Sequence, residues 1–141
     1  MDYVTRQKFN INELTNVPRI QKRVLLIIGE EYLREIYCRH LEADDFEVLV
    51  SNFGNHFAIA KFLNSSDILI IDLKNSEEDD KLDFLKSISR EFPRISIITI
   101  GHSLDEKRLL PLMALGVVGH LDRRFSRPQD LVNIARTILT R

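Results

Sequence analysis

Two acidic residues that follow short apolar runs could carry chemistry in this chain. Asp72 closes the run 68–71, and Glu30 comes shortly after the run 24–28. Such runs are typical of strands buried on both faces of a parallel sheet, and ligands gather where these strands end. A carboxylate at that edge can meet a cation or a phosphoryl group. Asp72 considered alone fits equally well as a cap of the following turn or helix.

The pair of carboxylates predicts a specific chemistry. Two such groups suit a hard divalent cation such as Mg²⁺, which takes oxygen ligands. An aspartate whose charge is offset by a metal can attack phosphorus and form an acyl phosphate. A nearby cation must then bind the phosphoryl oxygens. Arg123 follows the last predicted strand, and we expect it to supply this positive charge.

Five apolar runs alternate with five segments of helical periodicity. This strict alternation predicts parallel strands joined by right-handed crossovers, with helices on both faces. The fold class is therefore α/β, a flavodoxin-like doubly wound five-stranded parallel sheet in strand order 2-1-3-4-5 with five helices. In this order the switch point lies between strands 1 and 3, so Glu30 and Asp72 should face each other. The predicted strands are residues 23–28, 46–50, 67–72, 95–100 and 117–122.

The apolar stripes also predict which helix faces are buried. On the first helix the stripe that includes Leu33 and Leu41 leaves Arg34 outside. On the second helix we expect Phe57, Ala60 and Leu63 to face the core.

Composition predicts one domain, residues 23–141, preceded by an extension over residues 1–22. The net charge of −1 disfavours a nucleic-acid partner, and no apolar run reaches membrane-spanning length. The single cysteine, Cys38, excludes an internal disulfide and favours a cytoplasmic location. The extension carries scattered apolar residues, which we expect to pack on the domain or on a partner: Phe9, Ile11, Leu14, Val17 and Ile20.

Four segments together resemble the receiver domain of two-component response regulators, over residues 23–141. They are residues 24–31, 67–72, 92–98 and 115–123. The resemblance implies that Asp72 accepts a phosphoryl group from a histidine kinase or a phosphotransfer protein. The only catalytic activity that the resemblance implies is self-phosphorylation at Asp72 with a phosphohistidine donor. It also implies Mg²⁺ held by Glu30, Asp72 and the backbone carbonyl of Lys74, and a homodimer formed through helix 4, strand 5 and helix 5.

The sequence departs from the receiver pattern at several functional positions. Gly29-Glu30 replaces the acidic pair of the family, so one carboxylate is missing. Gly101 stands where the family has a switch Thr or Ser, and His120 stands at the aromatic switch position. Arg123 replaces the usual lysine, keeping the charge but changing its shape. We therefore expect weakened Mg²⁺ binding, inefficient phosphorylation at Asp72 and an atypical receiver.

Two alternatives belong beside the phosphorelay hypothesis. The first is a pseudo-receiver that acts as a protein–protein interaction module without phosphorylation. The second is a flavodoxin-like enzyme that binds a nucleotide or flavin. The second is disfavoured because Gly29-Glu30-Glu31 offers negative charge, rather than a Gly-rich cradle, to an anionic ligand.

Overall fold

The computed structural model describes residues 22–73, 78–102, 106–124 and 126–139. Nearly all of the predicted extension and the proposed metal ligand Lys74 lie outside these residues. The described chain forms five strands that alternate with five helices, as predicted. The strands are β1 (Arg23–Ile27), β2 (Glu47–Val50), β3 (Ile68–Asp72), β4 (Ser96–Gly101) and β5 (Val117–Asp122). The helices are α1 (Glu31–Ala43), α2 (His56–Ser65), α3 (Glu78–Glu91), α4 (Glu106–Ala114) and α5 (Pro128–Leu139).

The five strands form one parallel sheet in the order β2-β1-β3-β4-β5, which confirms the predicted topology. In the register between β1 and β3, Ile27 lies opposite Ile71. Asp72 and the residues that follow β1 therefore emerge at the same edge of the sheet. This edge, where the strands end, carries the candidate site.

Successive side chains along the central strands pack into two separate hydrophobic cores, one on each face of the sheet. In β1, Val24 and Leu26 face the layer of α1 and α5, whereas Leu25 and Ile27 face α2, α3 and α4. Both sets are fully buried. The alternation follows from the pleat of a strand, which sends successive side chains to opposite faces. Apolar side chains on both faces hold the central strands rigidly, so the residues at their ends are firmly positioned.

Two predictions about helix faces are wrong. Arg34 is buried rather than outside, and its guanidinium donates a hydrogen bond to the carbonyl oxygen of Ile28. Phe57 is 71 % exposed, and Ala60 is exposed too, whereas Ile59 and Phe62 enter the core. Helix α2 is apolar on almost every side, so its periodicity could not identify the buried face.

Two local features shape the far edge of the sheet. Gly116 ends the turn after α4 with a φ of 87°, a left-handed conformation in which a side chain would be strained. A register shift between β4 and β5 then pairs Ile97 with Val117 but Ile98 with Gly119. The extra residue is Val118, so the bulge re-aims the following residues of β5.

No helix in the described part of the chain is both long and apolar enough to cross a bilayer.

Candidate functional site

Asp72 lies at the end of β3 and is only 2 % exposed. Its Oδ1 accepts a hydrogen bond from Lys81 Nζ at 2.5 Å, and its Oδ2 accepts one from the Gly29 amide at 2.8 Å. The Asp72 and Lys81 side chains are each 3 % exposed. Asp72 therefore forms a buried ion pair, with both of its oxygens engaged by the chain itself.

Lys81 reaches Asp72 from the first turn of α3. It lies four residues before Leu85 and seven before Ile88, so all three share the buried face of this helix. The Lys81 ammonium also lies 5.6 Å from the centre of the Phe53 ring. That ring packs edge-on against Phe84 at 5.4 Å. The lysine stem thus runs through an apolar layer while its ammonium is paired, which is how a buried lysine is stabilised.

Arg123 and Glu30 form a second ion pair at the same edge. The Arg123 guanidinium donates to the Glu30 carboxylate, and this pair is more exposed than the first, at 28 % and 42 % of the two side chains. The Arg123 amide also donates to the carbonyl oxygen of Gly101 at 2.9 Å. Nearby, burial raises the pKa of the Tyr37 phenol, and the positive charge of Arg123 partly opposes this rise.

Glu30, Asp72 and Arg123 thus lie at the same edge of the sheet, as predicted, but the charged groups are paired differently from the prediction. Arg123 was expected to serve a phosphoryl group at Asp72, and in the structure its partner is Glu30. The cation beside Asp72 is instead Lys81. The Gly29 amide links the end of β1 to Asp72.

The donor set beside Asp72 does not fit Mg²⁺ as it is arranged. Mg²⁺ needs oxygen ligands in near-octahedral geometry, and an ammonium occupies one side of the Asp72 carboxylate. Glu30, the other proposed ligand, faces a guanidinium. Among the described residues, which exclude Lys74, no group of three His, Cys, Asp or Glu side chains could hold a metal ion. A metal ion at Asp72 would therefore compete with the Lys81 ammonium for the carboxylate.

His120, one of the two predicted switch positions, belongs to a small hydrogen-bond network with residues of β4 and of the loop that follows it. His120 Nδ1 lies 2.7 Å from the Thr99 hydroxyl, and His120 Nε2 lies 2.8 Å from the carbonyl oxygen of His102. Because a carbonyl can only accept, Nε2 donates to the His102 carbonyl oxygen, and Nδ1 shares a hydrogen bond with the Thr99 hydroxyl. A Cβ added to Gly101 would lie 3.5 Å from His120 Cε1, an ordinary contact. Hydrogen bonds to Thr99 and to the His102 carbonyl oxygen thus hold the His120 ring beside Gly101.

Sequence reasoning missed Lys81 and Thr99. Lys81 did carry a signal, since it is the one charged residue in the series 81, 85, 88 and 92, which is otherwise the apolar stripe of α3. A lysine on a buried stripe calls for a buried carboxylate partner, and Asp72 was the nearest strand-end candidate. Thr99 carried no such signal, because its contact with His120 depends on the bulge in β5.

No family model matches the sequence, and no curated protein matches it either. Solved structures do resemble the fold. A response regulator from Thermotoga maritima matches with a TM-score of 0.73 and 18% identity, over 86% of this chain and 100% of that chain. The fold is that of a response-regulator receiver domain.

Two further structures share the receiver fold. An orphan response regulator of H. pylori matches with a TM-score of 0.70 and 18% identity, covering 85% of this chain and 98% of that one. A putative pilus assembly protein from Burkholderia thailandensis matches with a TM-score of 0.72 and 18% identity, covering 86% and 100%. The predicted resemblance to receiver domains is thus confirmed for the fold, which is what similarity at such low identity shows.

Proposed function

We propose that this chain is a pseudo-receiver, a protein–protein interaction module that works without phosphorylation. One observation carries the proposal: Lys81 Nζ lies 2.5 Å from Asp72 Oδ1, with both side chains 3 % exposed. An aspartate that attacks phosphorus needs a carboxylate oxygen accessible to the donor. Here each oxygen already accepts a hydrogen bond, one from the ammonium and one from the Gly29 amide, and Asp72 is only 2 % exposed.

The energetics support the same conclusion. Breaking a buried ion pair by removing one partner costs about 3–5 kcal/mol. If opening the pair costs a similar amount, the reactive form of Asp72 falls by a factor of about 10²–10⁴, since about 1.36 kcal/mol is tenfold. Gly101 is a second reason, because it has no hydroxyl that could donate a hydrogen bond to a phosphoryl oxygen on Asp72.

The second candidate is the phosphorelay receiver, with Asp72 taking phosphate from a histidine kinase or a phosphotransfer protein. The position of Asp72 favours it, at the end of β3 and at the same sheet edge as Glu30. This function requires Lys81 to move away from Asp72 first. The two candidates therefore differ in whether the Lys81–Asp72 pair opens.

The interaction surface we propose is the face of α4, β5 and α5, through which two copies form a dimer. Large apolar side chains are exposed there on α4 and β5: Leu110, Met113 and Val118. A groove of about 430 Å³ lies between the two elements, and His120 is part of its lining. Because two hydrogen bonds hold His120 in place, this face has a defined shape without phosphate at Asp72.

The test is incubation of the whole chain with Mg²⁺ and acetyl phosphate, followed by intact-mass measurement and sedimentation. We expect no added phosphate and an unchanged oligomeric state, with Met113→Lys weakening any dimer. Lys81→Met tests the occlusion of Asp72, and Lys86→Met is the control, since Lys86 is an exposed lysine of the same helix. Phosphate added to the unaltered chain and lost in Asp72→Asn would overturn the pseudo-receiver proposal and favour the phosphorelay receiver instead.

A further inference from the structure

A groove between α2 and α3 combines an apolar floor with an acidic rim. It measures about 500 Å³. Carboxylates line it at Asp80, Asp83 and Glu91, and none of its described lining residues is Lys or Arg. The floor is formed by apolar side chains of both helices and of the residue that follows α3: Ile59, Leu63, Phe84, Ile88 and Phe92. This surface, the α2–α3 groove, fits a segment that presents apolar and basic side chains.

The α2–α3 groove continues towards the point where the described chain begins. A neighbouring groove shares Leu63, Glu91 and Phe92 with it and extends to Asp67. The Asp67 carboxylate accepts a hydrogen bond from the Arg23 amide at 2.9 Å, at the start of β1. Residues 1–21 therefore join the domain beside one end of this continuous surface.

The composition of residues 1–21 matches the α2–α3 groove, whereas the neighbouring groove is lined by Arg94 as well as by Asp67 and Glu91. Five apolar residues lie between positions 9 and 20, and basic residues outnumber acidic ones by one, with Arg6, Lys8 and Arg19 against Asp2 and Glu13. Twenty-one residues can span up to about 70 Å when extended, more than enough to reach along the groove. Attachment to the domain raises the effective concentration of the segment to about the millimolar range.

We infer that residues 1–21 of this chain bind in the α2–α3 groove. Their apolar side chains cover its floor, and their basic side chains lie against Asp80, Asp83 and Glu91. The groove is also connected to the candidate site, because Phe53 lines it and the Phe53 ring contacts the Lys81 ammonium. This inference is independent of whether Asp72 takes phosphate, since it rests on the groove and the extension alone.

The test places a photo-crosslinking benzoylphenylalanine at Ala60, an exposed residue that lines the groove, in the full chain at low concentration. The matched control is Ala43, which is also exposed but ends α1 on the opposite face of the sheet. We expect a link within one molecule from position 60 to residues 1–21, identified by peptide mass. Position 43 should give at most a tenth of that yield.

A pair of substitutions tests the apolar contacts. Ile11→Asp with Leu14→Asp should lower the yield from position 60 at least tenfold, because these charges cannot lie on the apolar floor. The control, Asn10→Asp with Asn12→Asp, adds the same charge without removing an apolar side chain, so its yield should fall by a clearly smaller factor, and the difference between the two pairs measures the apolar contacts. Equal yields from positions 60 and 43, no link to residues 1–21, or links only between two copies would each overturn the inference.

Discussion

Replacing Lys81 with methionine tests the central feature of the site. The substitution keeps an unbranched side chain in the apolar layer and removes the ammonium. Asp72 would then remain buried, with the Gly29 amide as its one remaining donor among the contacts described above. Breaking a buried ion pair in this way costs about 3–5 kcal/mol. The total stability of a domain is about 5–15 kcal/mol, so a large part of it would be lost.

A double variant that replaces both Lys81 and Asp72 measures the energy of the ion pair apart from the cost of burying each charge alone. Asp72→Leu alone should also destabilise the domain, because it leaves the Lys81 ammonium buried without its carboxylate. Asp72→Leu combined with Lys81→Met removes both charges and places apolar side chains of similar size between apolar neighbours. Since such replacements are often neutral or stabilising, we expect the double variant to be more stable than either single variant. The coupling energy should be at least about 2 kcal/mol.

The measurement is urea-induced unfolding of the full chain, followed by circular dichroism at one pH and one salt concentration. Lys86→Met is the matched control, since Lys86 is an exposed lysine on the same helix. Its free energy of unfolding should change by less than about 0.5 kcal/mol. A loss below about 1 kcal/mol for Lys81→Met, or single effects that simply add in the double variant, would refute the buried pair as described.

Two further predictions concern parts of the fold near the site. Burial raises the pKa of Tyr37 above its ordinary value of 10.0, so the unfolded chain loses this proton first and stability falls as pH rises above about 10. In Tyr37→Phe the urea unfolding midpoint should fall less steeply with pH above about 10 than in the unaltered chain. The same pH dependence in both proteins would contradict the raised pKa of Tyr37. The side chain of Asn55 caps α2 by accepting from the Ala58 amide at 3.2 Å. Asn55→Ala should therefore cost about 1 kcal/mol of unfolding free energy, and an unchanged midpoint would exclude the cap.

The predicted phosphate chemistry depended on which cation pairs with Asp72. Arg123 and Lys81 both carry positive charge, and both belong to segments adjacent to the predicted crevice. Sequence reasoning chose Arg123 because it ends a strand. The structure pairs Arg123 with Glu30 and Lys81 with Asp72. The packing of Leu85 and Ile88 against the sheet fixes the rotation of α3 and directs Lys81, which shares their stripe, inwards.

The sequence alone determined the five strands, their order and the edge at which Glu30 and Asp72 lie. It could do so because short apolar runs alternating with amphipathic helices are compatible with few topologies. Tertiary structure alone decided that Phe62 rather than Phe57 enters the core, and that Thr99 meets His120 across a bulge. These contacts join residues distant in the chain. They depend on helix rotation and strand register, which local periodicity does not specify.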